Sequence, residues 1–241
     1  QNDRVWSAYA IGDLQDGFFE DCRWYRAGNA LALIYLGLRP PVLHTQGPAE
    51  QVREIWRAIA RFYPQVYLLV GPDHLQALAD ELDAPHPKAM WRMVLNPALL
   101  PPRPEPEARV LRPAQLEEIY ALFAGAPDAP DTFAPLQLER GLFYGAYRDG
   151  RLAAIAGTHL VSLEESVAAV GNVFTRPAAR GRGLAKEVVW ALSARLVKLG
   201  IRTIVLNVAQ ENVAAIRLYE RLGYRRYCAF YEGMARKRVD R

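Results

Sequence analysis

Two glycines separated by one arginine form the part of the sequence that is most informative about chemistry. The segment 180–185 reads Arg-Gly-Arg-Gly-Leu-Ala and lies between an apolar run, 167–174, and an amphipathic stretch. Glycine has no Cβ, so the backbone can turn tightly and approach a ligand closely. A helix that begins here offers unpaired N–H groups and the positive end of its dipole, and Arg180 and Arg182 add full charges. The sequence therefore predicts a pyrophosphate-binding turn.

Two common phosphate motifs do not fit this turn. A Walker-type loop requires Lys-Ser or Lys-Thr after its last glycine, whereas Gly183 is followed by Leu184 and Ala185. A dinucleotide fingerprint requires glycine or alanine where this chain has Lys186. The next predicted strand also ends in Asn-Val, without the acidic residue that binds ribose.

Coenzyme A is the remaining interpretation, and two segments carry a family resemblance. The segment 171–185 resembles the acyl-CoA motif of the GNAT N-acetyltransferases, Arg/Gln-x-x-Gly-x-Gly/Ala, with Arg180, Gly183 and Ala185 at its defining positions. The segment 206–224 is similar to the second signature of that family and follows at the expected spacing. The resemblance covers about residues 109–236, and it implies acetyl-CoA as cosubstrate.

The resemblance also implies individual binding residues. The strand before the turn would bind the pantetheine amides with its backbone, and the N–H groups of the turn would bind the pyrophosphate. The implied acetyl-CoA contacts are Val173, Phe174, Thr175, Arg180, Gly181, Arg182, Gly183, Leu184, Ala185, Asn207, Asn212, Ala215 and Tyr219.

Tyr219 is the implied general acid of the reaction. Asn212 and Tyr219 are seven residues apart, hence on one helix face and about 10 Å apart along the axis, which suits an extended pantetheine arm. The phenol of Tyr219 can donate a proton to the departing thiolate. The acceptor amine would attack the thioester directly, and N–H groups beside Val173 would stabilise the oxyanion.

A general base is harder to select from the sequence. His159 and Glu164 lie on or just after the strand beside the cofactor strand, together with Glu165. His159 is preferred because its free pKa is nearest neutrality, and Asn172 could position a water. Each of these residues has the alternative of an ordinary strand or loop polar group.

Composition and charge limit the partners. Residues 109–241 carry 20 basic and 13 acidic side chains, whereas residues 1–108 carry 10 and 13. A positive field suits a polyanionic small molecule. No apolar run reaches the roughly 18 residues of a membrane span. We expect a cytoplasmic enzyme with no metal, no membrane contact and a small amine or amino-acid-like acceptor. A homodimer stays open. A non-catalytic acyl-CoA sensor and a nucleic-acid-binding protein are the alternative functions.

Five prolines between residues 97 and 106 predict a stiff linker. We therefore expect a degenerate GNAT-like domain at 1–97, a Pro-rich linker at 98–108 and the acyl-CoA-binding domain at 109–241. The first half repeats the order of elements faintly, and at the equivalent turn Pro48 removes a donor while Glu50 adds negative charge. This arrangement of two halves also resembles the glycine N-acyltransferase-like branch of the family.

The predicted fold class is α/β: a GNAT fold with a mixed, mostly antiparallel twisted sheet flanked by helices. Strands are expected at 30–36, 42–45, 66–70, 88–95, 109–112, 142–147, 152–161, 167–174, 203–208 and 227–235. Helices are expected at 49–62, 74–82, 183–199 and 212–222, with one more opening at Pro113. A Pro-rich loop is expected at 127–135.

Overall fold

The computed structural model describes residues 3–15, 18–102, 107–130 and 133–238. The helices are α1 Ala8–Gly12, α2 Ala49–Ile59, α3 Pro72–Ala77, α4 Leu116–Phe123, α5 Pro135–Arg140, α6 Leu184–Lys198 and α7 Val213–Arg221. The strands are β1 Cys22–Ala27, β2 Ala30–Tyr35, β3 Val42–Gln46, β4 Gln65–Val70, β5 Leu82–Asp83, β6 Lys88–Leu95, β7 Arg109–Leu111, β8 Phe143–Arg148, β9 Arg151–Ser162, β10 Val167–Thr175, β11 Thr203–Ala209 and β12 Tyr224–Lys237.

The described residues fall into two compact units. The first contains those within 1–12, 93–207 and 213–227, and the second those within 13–92, 208–212 and 228–241. This partition differs from the sequential division expected from the prolines, because the end of β12 pairs with β4 in the second unit. The assignment of a degenerate domain and a catalytic domain stays a prediction.

In the first unit, strands β7 to β11 lie side by side in chain order. The pairs β7–β8, β8–β9 and β9–β10 are antiparallel, and the pair β10–β11 is parallel. Parallel neighbours need a crossover, and α6 supplies it. Asp149 and Gly150 connect β8 to β9 with φ of 51° and 72°, as a two-residue hairpin turn requires. The long apolar runs in this part of the sequence therefore form the strands that they predict.

Helices cover both faces of this sheet. α4 and α5 pack on β9, and α6 packs on β8, β9 and β10. The core between α4, α5 and the strands consists of Leu111, Ile119, Leu122, Leu138, Phe143, Leu152, Ile155 and Phe174. α1 lies against β9 and β10, where Ala8 packs with Leu160 and Val167. β10, the strand predicted to bind the pantetheine arm, thus packs against α1, α6 and the core.

In the second unit, β1, β2, β3, β4 and the end of β12 are neighbours in that order, and β5 pairs with β12. β3 and β4 are parallel and α2 connects them, while the other pairs are antiparallel. Apolar residues of α2, including Val52, Ile55 and Trp56, pack on Ile34 and Leu68 of the sheet. Each unit therefore contains a strand hairpin followed by a helical crossover to a parallel strand.

The predicted fold class is confirmed: the chain is α/β, with a mixed, mostly antiparallel twisted sheet flanked by helices. The common order of β2-β3-α2-β4 and β9-β10-α6-β11 supports the predicted internal duplication, which stays a prediction.

Several elements differ from the expectation. α1 and α5 were not expected, and neither was β1, whose exposed Arg23 and Trp24 give it no apolar run. The helix expected at 74–82 ends at Ala77, and β5 follows it at Leu82–Asp83. The last strand begins three residues earlier than expected, at Tyr224.

The start of the Pro-rich stretch packs against the first unit. Residues Pro97–Leu99 form a short 3₁₀ helix capped by the side chain of Asn96. The indole N–H of Trp190 donates to the carbonyl of Pro101 at 2.8 Å. This segment is therefore anchored up to Pro101, whereas residues 103–106 lie outside the described chain.

Candidate active site

The glycine turn has the backbone that its residues predict. Gly181 and Gly183 have φ of 77° and 80°, and a Cβ built on either would meet nothing within 4 Å. Glycine is therefore favoured at these positions by the positive φ, and not by a lack of space for a Cβ. A side chain at either position would project into the open space in front of the turn.

The N-terminus of α6 follows this turn directly. Gly183 is the N-cap, and its carbonyl accepts the N–H of Glu187 at 3.1 Å. The N–H groups of residues 184–186 come before the first intrahelical acceptor, so they have no partner within the helix. α6 is 15 residues long, which gives its N-terminus a positive partial charge. Arg182 is exposed beside it.

Arg180 is held by the protein. Its guanidinium makes an ion pair with Asp128 at 2.5 Å, and its Nε donates to the carbonyl of Thr175 at 3.0 Å. The same group lies 5.8 Å from the centre of the Phe174 ring. Arg180 thus ties the turn to β10, and Asp128 offsets part of its charge. No sequence pattern indicated Asp128, which lies in the expected Pro-rich loop. Residues 131 and 132 of that loop lie outside the described chain.

β10 and β11 separate beside this turn. Their parallel pairing runs from Val167 with Thr203 to Val170 with Leu206, although both strands continue. Val173, Phe174 and Thr175 lie beyond the last pair. The side chain of Phe174 is in the core, whereas the buried Oγ1 of Thr175 has no hydrogen-bond partner among the described residues. β10 and β11 therefore splay apart beyond Val170 and Leu206.

Two irregularities in the β9–β10 pairing shape the edge of this site. Ala169 pairs with Leu160 but Val170 pairs with Thr158, so His159 is an extra residue on β9. Gly171 pairs with Gly157 and Phe174 with Ile155, so Asn172 and Val173 together oppose one residue. Bulges of this kind redirect side chains.

These bulges bring His159 and Asn172 to the same glutamine. Gln137 of α5 accepts a hydrogen bond from Asn172 Nδ2 at 2.9 Å, and its Nε2 lies 3.4 Å from His159 Nδ1. Sequence reasoning missed Gln137. The signal was Pro135 with a glutamine two residues later, a typical helix start, where the loop expected at 127–135 ends.

Burial lowers the pKa of His159 to about 4, so its imidazole is neutral at pH 7. The ring also lies directly over β10, since a Cβ at Gly171 would be 1.9 Å from its Nε2. A group with so low a pKa is a weak base toward an alkylammonium. Glu164 is exposed in the turn that closes the β9–β10 hairpin, whereas the glycine turn follows the opposite end of β10. The structure does not bring Glu164 to the glycine turn, and Glu165 lies in the same hairpin turn.

Tyr219 lies on the buried face of α7. Its side chain is 6% exposed and packs edge-on against Tyr224, with ring centres 6.0 Å apart. Burial raises the pKa of the Tyr219 phenol well above its usual value, so the hydroxyl stays protonated at neutral pH. The neighbouring Tyr224 hydroxyl is bonded to Ser193 at 2.9 Å.

The remaining predicted acetyl-CoA contacts lie near the C-terminal end of β11 and the N-terminal end of α7. Asn207 is half-buried near the end of β11, and Ala215 is half-buried in the first turn of α7. Asn212 is exposed directly before α7, groups with the second unit, and donates its N–H to Ala209 at 3.0 Å. The roles of these residues stay predictions.

The corresponding turn of the second unit is closed. Gly47 has φ of 99°, but its Cβ would lie 2.5 Å from the carbonyl of Asn29. The ring of His74 also bonds to the Gly47 carbonyl at 2.9 Å through Nε2. Unlike Gly181 and Gly183, this glycine faces protein rather than open space.

Within the described ranges, no group of three or more His, Cys, Asp or Glu side chains is placed to hold a metal ion. Among the same residues, no helix is both long enough and apolar enough to cross a membrane.

Sequence comparison identifies the family. A model of the acetyltransferase (GNAT) family matches residues 113–224. Mycothiol acetyltransferase of Salinispora tropica is 32% identical to the chain over 217 residues, and the match covers 76% of this chain and 68% of that relative. This chain belongs to the GNAT family. Acetyltransferases of the GNAT family use acetyl-CoA, and the turn and splayed strand described above fit that ligand.

Other relatives agree at the level of family or fold. The alanine N-acetyltransferase of ribosomal protein bS18 from Escherichia coli K12 is 38% identical over 98 residues, which are 41% of this chain and 64% of that enzyme. This GNAT chain thus covers less than two thirds of that relative. A GCN5-related N-acetyltransferase from Kribbella flavida shares the fold, with a TM-score of 0.67, 19% identity and coverage of 97% and 96% of the two chains. The resemblance to the glycine N-acyltransferase-like branch stays a prediction.

Proposed function

We propose that this chain transfers an acetyl group from acetyl-CoA to a primary amine by direct attack in a ternary complex. The observation that carries the proposal is the open glycine turn at the N-terminus of α6, next to the splayed edge of β10. The pyrophosphate would bind the N–H groups of residues 181–185, and the pantetheine arm would run back along Val173–Thr175. The thioester would then lie near the bulge at Asn172.

Tyr219 supplies the proton in this proposal. The amine nitrogen forms a bond to the acetyl carbon, the carbon–sulfur bond breaks, and the departing thiolate takes the phenolic proton of Tyr219. The new amide nitrogen loses its extra proton to solvent, and the Tyr219 phenolate regains a proton from solvent. The phenol is protonated at neutral pH, as a proton donor must be. N–H groups at the β10 bulge would stabilise the oxyanion.

Proton removal from the amine is assigned to solvent. His159 is neutral but its pKa is lowered to about 4, and Glu164 lies at the far end of the hairpin. An α-amine has a pKa near 8, so a useful fraction is already neutral at physiological pH. Peptide N-termini, and amino acids whose carboxyl group is blocked, are therefore suitable acceptors. The bS18 relative is named for acetylation at an alanine of a ribosomal protein, which supports a peptide acceptor.

Thermal unfolding with and without acetyl-CoA tests the proposed site. Acetyl-CoA at about 100 times its Kd should add about 2.7 kcal/mol to the free energy of unfolding, and hence raise the Tm by roughly 5–10 °C. Gly183→Asp should abolish this shift because its carboxylate would occupy the anion site. Gly200→Asp is the matched control: Gly200 also has positive φ, 79°, and open space around it, but it follows the C-terminal end of α6.

Both aspartate variants should lose similar intrinsic stability, since the backbone strain is the same. Equal acetyl-CoA shifts in the two variants would contradict the site. The wild type should then release thiol from acetyl-CoA with one or more amines from a panel of alaninamide, cysteinamide, glycine, an alanine-initiated peptide and Nα-acetyl-lysine. Ligand stabilisation without thiol release across the panel would instead support the acyl-CoA sensor.

A further inference from the structure

A backbone N–H fixes the orientation of the glutamine that joins His159 and Asn172. Ala134 donates its N–H to Gln137 Oε1 at 3.2 Å, where α5 begins. A backbone N–H can only donate, so the oxygen of the side-chain amide must face Ala134. The backbone of Gln137 is held as well, because its carbonyl accepts the N–H of Gly141 at 2.8 Å.

This orientation determines the other two side chains. Asn172 reaches the same Gln137 oxygen at 2.9 Å and must present its NH₂ group to it. The Gln137 NH₂ group faces His159 Nδ1 at 3.4 Å and must donate, which assigns the ring proton of His159 to Nε2. The carbonyl oxygen of Asn172 is therefore turned away from Gln137.

That oxygen has a buried position without a hydrogen-bond partner. Asn172 is 5% exposed, and no described residue bonds to its Oδ1. Its backbone has φ of 50°, in the left-handed region that side chains other than Asn and Asp rarely adopt. An unpaired buried carbonyl costs stability, so its retention beside a bulge suits an oxygen that is paired in a complex.

The location of Asn172 selects the group that would pair with it. Asn172 directly precedes Val173, at the end of the proposed pantetheine path that is farther from the glycine turn. If acetyl-CoA binds as in the proposed function, the thioester lies here. An acceptor that attacks the thioester must therefore bring its nitrogen close to Asn172, and an amine has N–H groups that an amide oxygen accepts.

We propose that Asn172 Oδ1 accepts a hydrogen bond from the attacking amine, and that Gln137 is the positioning residue that turns this oxygen toward the acceptor. With one N–H held by Asn172, the lone pair of the amine can be directed at the thioester carbon. The inference rests on the proposed function. It adds Asn172 as a residue that contacts the acceptor, and Gln137 as the residue that orients Asn172.

Steady-state kinetics with acetyl-CoA and an alanine-initiated peptide test the contact. Asn172→Ala should lower kcat/KM for the peptide by about 10- to 100-fold, the size expected for one hydrogen bond to a buried partner. The KM for acetyl-CoA should stay within about twofold of the wild-type value, because the proposed acetyl-CoA contacts beside Asn172 are backbone groups. Thr158→Val is the control: it removes a nearby buried hydroxyl that accepts from Leu142 at 3.0 Å, and it should affect Tm only.

Two substitutions of Gln137 separate positioning from simple support of the fold. Gln137→Glu keeps an oxygen for Ala134 and Asn172, so the KM for the peptide should stay near the wild-type value. Gln137→Leu removes the group that orients Asn172, so it should raise that KM as Asn172→Ala does. Equal KM values for the glutamate and leucine variants would overturn the positioning role even if both are less stable.

The outcomes also distinguish this inference from the proposed function. Unchanged peptide kinetics in Asn172→Ala, with wild-type turnover present, would overturn the contact alone. An equal loss in acetyl-CoA affinity would overturn it too, because Asn172 would then serve the cosubstrate. If wild-type protein neither binds acetyl-CoA nor releases thiol with any amine, the proposed function itself fails.

Discussion

At the scale of single residues, two buried tyrosines of the first unit have different roles. Tyr219 and Tyr224 pack edge-on, and burial raises the pKa of both phenols. The Tyr224 hydroxyl bonds to Ser193, whereas the Tyr219 hydroxyl makes no hydrogen bond to another described residue. The same functional group, a few residues apart, thus serves the fold in one case and is proposed to serve catalysis in the other.

Substitution of each tyrosine by phenylalanine tests that division. Tyr219→Phe keeps the ring packing and removes the proposed proton donor, so kcat should fall by about 10²- to 10⁴-fold with Tm nearly unchanged. Tyr224→Phe breaks the bond to Ser193 and should cost about 1 kcal/mol of stability with kcat preserved. Thiol-release kinetics and thermal unfolding of both variants provide the check. Wild-type kcat in Tyr219→Phe would exclude it as the acid.

The residues of the glycine turn were predictable because their signal is local. The positive φ of Gly181 and Gly183 and the N-terminus of α6 all follow from neighbouring residues in the chain. Gln137 and Asp128 were not predictable, since each acts on a partner 35 or more residues away. Nothing near them in sequence indicates which strand they will face.

At the scale of elements, the strands of the first unit were predictable from their apolar runs, whereas the bulges were not. A bulge is a property of the pairing of two strands, and the sequence of one strand does not specify it. The same limit hid α5, whose six residues begin at a proline within a segment rich in loop-forming residues. More of the fold than of the acceptor side of the site could therefore be predicted from the sequence.

Gly171→Ala tests the dependence of the site on the β9–β10 bulges. Its Cβ would lie 1.9 Å from His159 Nε2, so the ring must move and its contact with Gln137 should be lost. We expect a loss of about 1–3 kcal/mol in stability and a clear fall in kcat/KM for the amine.

Gly157→Ala is the matched control on the paired residue of β9. Its Cβ would lie 2.1 Å from the Phe143 ring, a core contact away from His159. It should lose comparable stability but keep the wild-type KM for the amine in the folded fraction. Identical amine kinetics in the two alanine variants would show that the position of His159 does not matter.

At the scale of the whole molecule, three buried ionisable groups couple folding to pH. Burial lowers the pKa of His159 to about 4; burial and the charge of Arg92 lower that of His44 to about 3. Burial raises the pKa of Asp13 to about 7. Between about pH 4 and 6.5 the unfolded chain binds more protons at the two histidines, and the folded chain binds more at Asp13.

The histidines outnumber the aspartate, so stability should fall as the pH decreases from about 6.5 toward 3. These groups change the free energy of unfolding by at most about 1.4 kcal/mol per pH unit. His159→Gln should reduce this pH dependence between about pH 4 and 6.5, and Asp13→Asn should increase it. Urea unfolding at half-unit pH steps measures both differences. A steeper fall in His159→Gln than in wild type would contradict the assignment.

The pairing of β12 with β4 has a consequence for the synthesis of the chain. β4 ends at Val70, but the residues that cover its free edge, 231–236, are added more than 150 residues later. At about 5–20 residues per second a ribosome needs roughly 10–30 s to make that stretch. Throughout this interval the nascent chain exposes an apolar strand edge, Gln65–Val70, which is open to pairing with another chain. Protection by a chaperone is therefore needed most before the last strand leaves the ribosome.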